Sequence, residues 1–219
     1  MTYFSAQTFE LLGQLSENNN KEWFADHKKE YEEHVKHPFA QLLEDLSGRL
    51  SELQMTYLGG EKTMFRVNRD VRFSNDKSPY STHVSGVLSP SGTKSESTSL
   101  IYLHLEVGAS FAVAGLYRPS TERLGELRTS MIEKPTDFKR VLGELKSVDL
   151  VLDTTDSTKM MPRDFKEYSD HEFSSEIKLK NLMTRIEITE PEWMSDQLID
   201  KLADFGLNAK PLLDFIEAN

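Results

Sequence analysis

The amino-acid sequence predicts an α+β protein: an antiparallel, meander-like central sheet with N- and C-terminal helices packed on one face. Three observations carry this. Apolar residues recur at steps of three and four through the first 55 residues and again after residue 120. Between 63 and 117 the apolar period falls to two. A tight connection, Val107-Gly108, joins two β-type runs, 99–106 and 111–117, as an antiparallel hairpin.

The elements follow in order. Phe4-Ser5 pairs a staple residue with an N-cap, and Phe9, Leu12 and Leu15 share the stripe of the first helix. Asn18-Asn19-Asn20 stops that helix and caps the next, whose spine is Phe24, His27, Tyr31 and Val35. Pro38 suits the first turn of a third helix, or kinks one long helix, and Phe39, Leu42, Leu43, Leu46, Leu50 and Leu53 form its apolar stripe. The segment 64–73 alternates as a strand, and 83–88 is a weaker one. Nine serines between residues 74 and 99 mark turn and loop around it. After Pro119, helices are expected through Leu124, Leu127 and Met131, then behind Pro135 through Phe138, Val141, Leu142 and Leu145. Short β-type runs at 148–152 and 185–188 flank an irregular stretch, 153–170. A C-terminal helix through Trp193, Leu198, Leu202 and Phe205 should break at Gly206, before a short last helix with Leu212, Leu213 and Ile216.

With no internal repeat and no linker, the 219 residues are expected to form one domain: 1–55 helical, 63–117 sheet, 120–219 helices with short added strands. A globule of this length buries roughly 70% of the surface its unfolded chain exposes, so it needs no covalent staple. The absence of cysteine removes disulfides, thiolate nucleophiles and zinc–cysteine sites. A net charge of −10 repels nucleic acid and anionic membranes as a whole. With no signal-like opening and no spanning apolar run, a soluble cytoplasmic protein is expected.

One segment runs against this charge. Residues 62–80 carry Lys62, Arg66, Arg69, Arg72 and Lys77 against Asp70 and Asp76, a net +3 in a chain of −10. Read as a strand, one face is Phe65, Val67, Arg69, Val71 and Phe73, a core face broken by a guanidinium that must be paired or opened to a cavity. Arg69 is then either a structural ion-pair partner or the floor of a pocket. Arg66 and Arg72 would stand about 20 Å apart on such a strand, beyond the joint reach of two side chains of about 6–7 Å, so they cannot clamp one small anion. The better cluster lies at the strand end. There Arg72, Lys77 and Tyr80 can surround an anion with a planar fork, a point charge and a phenol, with His83 three residues on. The bland account is a turn capped by Ser74 and Asp76, with Lys77 solvated.

The motif Arg66-x-x-Arg69-Asp70-x-Arg72-Phe73, followed by Asp76, Lys77 and Tyr80, resembles the hallmark of a bacterial family of uncharacterised proteins, domain of unknown function 2461. The resemblance extends to Asn19, Asn20, Trp23 and Phe24, to Gly115-Leu116-Tyr117-Arg118-Pro119 and to Arg128, and spans nearly the whole chain. Asp164 and Glu172 stand where the family pattern has glycine and proline. The resemblance implies a single-domain cytoplasmic bacterial protein and supplies no catalytic residue.

Other chemistries find little support. His27, His34 and His37 lack metal-ligand spacing, and the sequence contains no nucleophile elbow, P-loop or dinucleotide fingerprint. His83 and His104 could meet Asp70 or Asp76 across adjacent strands as a hard-ligand site, but the favoured reading assigns no metal and no cofactor. Strand aromatics such as Phe65, Phe73, Tyr80, Tyr102 and Tyr117 can stack bases, yet nucleic acid would be confined to the arginine strand. The functional expectation is therefore a small anionic, phosphate-bearing ligand bound by Arg69, Arg72, Lys77 and Tyr80. Asp70, Asp76 and His83 are the acid–base candidates for any hydrolytic or transfer step. The rival is a non-catalytic interaction module whose arginine strand is structural, and the sequence leaves both an enzyme and a binding protein open.

Overall fold

The computed structural model describes residues 1–94 and 98–219; residues 95–97 of the serine-rich stretch lie outside the described residues. The architecture is α+β, with helices at both termini and a four-stranded antiparallel sheet in the order β1-β2-β3-β4. The strands are β1 (Val84–Leu88), β2 (Leu100–Leu105), β3 (Phe111–Leu116) and β4 (Leu182–Glu187). The helices are α1 (Ala6–Glu17), α2 (Lys21–Tyr31), α3 (His37–Glu52), α4 (Thr121–Glu133), α5 (Pro135–Ser147), α6 (Ser174–Ile177), α7 (Glu190–Trp193) and α8 (Leu198–Ala218). The chain groups into two compact units. The first is Met1–Lys94, Tyr102–Ala112 and Ile186–Phe205; the second runs through Ile101, Val113–Arg185 and Gly206–Asn219.

In the first unit, α1 begins where the Ser5 N–H donates to Thr8 Oγ1 at 3.3 Å, and α2 where Asn20 Oδ1 accepts from the Trp23 N–H at 2.9 Å. Helices α2 and α3 are joined without a break by a π-helical turn, Glu32–Lys36, in which the His37 N–H reaches the Glu32 carbonyl. The cause is Pro38, which has no N–H to give the His34 carbonyl and whose ring crowds it; the wider turn relieves the clash. The His34 oxygen accepts instead from the buried Thr8 hydroxyl at 2.9 Å. The apolar stripe of α3 is fully buried at Phe39, Leu42, Leu43, Leu46 and Leu50, as its spacing predicts. Phe4 meets the Trp193 ring edge-on at 5.4 Å beside Phe39. At Gly86 of β1 a Cβ would stand 2.7 Å from Leu43 Cδ1 and 3.2 Å from Phe39 Cε1, so a larger residue would push these side chains of α3 aside.

The second unit is built around Phe138 of α5, which meets Phe173 edge-on at 4.9 Å and Phe215 at 5.1 Å. Gly115 has φ 143°, and a Cβ there would fall 2.2 Å from the Leu182 carbonyl oxygen, so β3 and β4 approach as only glycine permits. Arg128 is buried, gives its Nη2–H to the Leu179 carbonyl at 2.9 Å and lies over the Phe165 ring at 5.8 Å.

Three expectations change. The alternating segment 64–73 is not a strand: it makes only isolated antiparallel bridges, Met64 to Gly86 and Asn68 to Tyr80, and its supposed core face is open, with Phe73 95% exposed. The run 148–152 likewise yields one bridge, Leu152 to Thr184, because Asp149 takes a positive φ of 58°. Finally, α8 passes through Gly206 without stopping and carries Pro211 inside it. Burial of Leu202, Phe205, Ala209, Leu212 and Leu213 outweighs the roughly 1 kcal/mol helix cost of a glycine.

Candidate functional site

The cationic segment first runs beside residues 79–86 and then folds over. The Phe65 N–H donates to the Ser85 carbonyl at 2.9 Å, the Ser81 N–H to the Val67 carbonyl at 2.8 Å and the Arg69 N–H to the Pro79 carbonyl at 2.9 Å. Beyond Arg69 the chain leaves its partner and forms a loop. Asp76 organises that loop: its Oδ1 accepts from the Ser78 N–H at 2.9 Å and the Ser78 hydroxyl at 2.7 Å, while its Oδ2 pairs with the Arg69 guanidinium. Those three donors, Ser78 foremost, hold the Asp76 carboxyl well below the usual carboxylate range. Arg69 also donates to the Ser78 carbonyl at 3.1 Å.

Arg72 is 77% exposed and grips the Asp70 carboxylate in a fork, Nε to Oδ1 at 3.0 Å and Nη2 to Oδ2 at 2.7 Å. Lys77 Nζ donates to the Val71 carbonyl at 2.9 Å, which sets its ammonium beside the Arg72 backbone. Tyr80 closes the loop and is anchored by α2 and the turn before it. Asn19 gives its Nδ2–H to the Tyr80 carbonyl at 2.9 Å and accepts the Tyr80 N–H at 3.0 Å, and Phe24 stacks on the Tyr80 ring at 4.0 Å. Two separate stretches of the sequence motif thus meet at one tyrosine.

His83, immediately before β1, belongs to a different group. Its ring lies 4.2 Å from that of His104 on β2. His104 Nε2 is 3.1 Å from Glu106 Oε2, and its Nδ1 is 2.8 Å from the Tyr102 hydroxyl. Thr82 donates its hydroxyl to Glu106 Oε1 at 2.8 Å, so both carboxylate oxygens are held. The backbone of Glu106 is fixed at the hairpin by Ser110, whose Oγ accepts the Glu106 N–H at 2.9 Å and donates to the Glu106 carbonyl at 2.6 Å. Phe111 stacks on His104 at 4.6 Å and Phe65 meets Tyr102 at 6.0 Å, giving the group an aromatic wall.

Electrostatics couple this group to the loop. Burial, then the neighbouring His104 and the Arg69 charge, push the His83 imidazole below its ordinary value, against the opposing pull of Glu106. Burial raises the Glu106 carboxyl, but hydrogen bonds from His104 and Thr82 and the adjoining imidazoles outweigh it and leave the carboxyl below its ordinary value. His83, His104 and Glu106 each offer one ligand-type atom, all within 4.8 Å of one another.

Arg69, Arg72 and Lys77 thus lie on one loop, Tyr80 at its end is buried with its ring on Phe24, and Asp70 and Asp76 pair with the two arginines rather than with His83. His83 and His104 meet each other, but the carboxylate beside them is Glu106 rather than the expected Asp70 or Asp76, which the arginines hold. Sequence reasoning passed over Glu106. The signal was there: Tyr102, His104 and Glu106 alternate with the buried Ile101, Leu103 and Leu105, which puts a phenol, an imidazole and a carboxylate on one face.

The molecule is thus an α+β protein with a cationic loop beside a histidine–glutamate cluster, and among the described residues no helix is long and apolar enough to cross a membrane. Its sequence matches the family described as Conserved hypothetical protein (DUF2461) over residues 7–215, and the chain belongs to that family. No curated protein and no solved structure matches it.

Proposed function

We propose that the loop from Arg69 to Tyr80 binds a small anionic ligand bearing a phosphate group. Arg72 and Lys77 hold its charge, Tyr80 donates a hydrogen bond, and Arg69 lies beneath. The observation that carries this reading is the Lys77 ammonium at the Val71 carbonyl, next to an Arg72 fork that is 77% exposed. The Arg72–Asp70 pair is exposed and screened by solvent, so a phosphate that takes two N–H bonds from arginine and a point charge from lysine can displace Asp70 at little cost. Of the acid–base candidates Asp70, Asp76 and His83, the two aspartates are committed to arginines and His83 packs against His104, so the reading is one of ligand binding.

A second reading has its own support. Both arginines already meet internal carboxylates, and Phe73 stands almost wholly in solvent between Arg72 and Ser74, as expected of a non-catalytic interaction module with a structural loop. Melting curves of Arg72→Ala and Lys77→Ala separate the two. The ligand reading expects unchanged melting of the variants themselves and loss of the stabilisation that phosphate, sulfate or nucleotides give the wild type. A wild type indifferent to all three anions, with each variant melting lower than the wild type, would establish the module.

A further inference from the structure

We propose that His83, His104 and Glu106 form a binding site for a divalent transition-metal ion. Two imidazole nitrogens and one carboxylate oxygen are the protein ligands, and water fills the remaining positions. The three ligand atoms already converge within 4.8 Å of one another, so modest side-chain closure brings them to the roughly 2.0–2.2 Å metal distances such ligands adopt. The donor set, two borderline nitrogens with one hard oxygen, suits zinc and its first-row neighbours rather than magnesium or calcium, which require mostly oxygen.

The outer contacts strengthen the assignment. A ligating histidine gives its other ring N–H to an orienting group, and a ligating carboxylate is held by its second oxygen. Here the atom of His104 turned away from the cluster, Nδ1, lies 2.8 Å from the Tyr102 hydroxyl. The second oxygen of Glu106, Oε1, accepts from Thr82 at 2.8 Å. The ligands are set by the sheet: His83 immediately before β1, His104 inside β2, and Glu106 at the Ser110 clamp of the hairpin. The site stands on this geometry and does not depend on anion binding by the neighbouring loop.

The test uses the full chain, stripped with a chelator and titrated in phosphate-free buffer with Zn²⁺ by calorimetry and with Co²⁺ by visible absorption. One equivalent per chain is expected, with a higher melting temperature when metal is bound. His83→Ala and Glu106→Gln should each weaken Zn²⁺ at least tenfold, and Tyr102→Phe by roughly ten- to hundred-fold through loss of orientation. No saturable binding, binding of Mg²⁺ or Ca²⁺ alone, or folded variants that bind Zn²⁺ as the wild type does would each overturn the site. Should the variants not fold, X-ray absorption of the zinc-loaded wild type decides: two imidazoles in the shell uphold the proposal, and fewer overturn it. Because no anion is present, these results are independent of the melting experiments on the loop.

Discussion

Asp76 is the residue on which the loop turns. Its carboxylate receives Ser78 twice and Arg69 once, so replacing it removes three bonds from one short segment. In Asp76→Ala the Ser78 amide should lose its protection from hydrogen exchange, while the Tyr80 amide, bonded to Asn19, keeps its own. Equal protection of Ser78 in both proteins would contradict this account of the loop. The same carboxylate explains why this region was only partly legible. Sequence reasoning weighed Arg69 either as a partner of a helix acid or as a pocket floor; its partner is an acid seven residues on, within the loop itself. Local turn chemistry, Asp followed two residues later by Ser, supplies that partner, and a strand reading hides it.

Elements show where periodicity informs and where it misleads. The α3 stripe was legible because a helix satisfies its own backbone, so side-chain spacing alone decides which face is buried. A strand needs partners. The segment 64–73 alternates perfectly well, but its backbone finds only scattered bonds to 79–86, and Phe65 and Phe73 stay exposed. The π-helical turn before Pro38 makes a test at this scale. Thr8→Val keeps the shape of a residue 1% exposed and leaves the His34 carbonyl without its donor, so unfolding in urea should show a loss of about 1–3 kcal/mol. An unchanged midpoint would mean that the carbonyl is satisfied otherwise.

The α7 turn offers a pH-dependent counterpart. Glu192 accepts from Lys201 at 2.5 Å and from the Thr189 N–H at 2.8 Å and hydroxyl at 2.9 Å, and so fixes the turn that carries Trp193. Lys201 first, then the Thr189 N–H, lower its carboxyl to about 2, against a small opposing effect of burial. A depressed carboxylate contributes stability in full above its unfolded value of about 4.3, and that contribution fades as pH falls toward 2. Glu192→Gln should therefore melt lower than the wild type at neutral pH by a small margin, because solvent reaches more than a third of both side chains and screens the pair, and the two melts should converge near pH 2. A difference that persists undiminished into acid would place its origin elsewhere.

Across the molecule, the contrast that matters is a +3 segment in a chain of −10. The acidic remainder repels polyanions, while a small ligand can approach the loop alone; screening over a Debye length of about 10 Å at 0.1 M salt should weaken its binding as salt rises. The fold class and the helices at both termini were legible in residue spacing, whereas His83 and His104, expected near Asp70 or Asp76, meet each other and Glu106. The partnerships of Arg69, Arg72 and Glu106 were not, since they depend on how a loop folds back and on which carboxylate faces it. The most direct measurement is a crystal structure of the protein grown from phosphate. The account predicts a tetrahedral anion bridging Arg72 and Lys77, with the Asp70 carboxylate displaced from the guanidinium. Arg72 still held by Asp70, Lys77 still on the Val71 carbonyl and no anion beside them would contradict it.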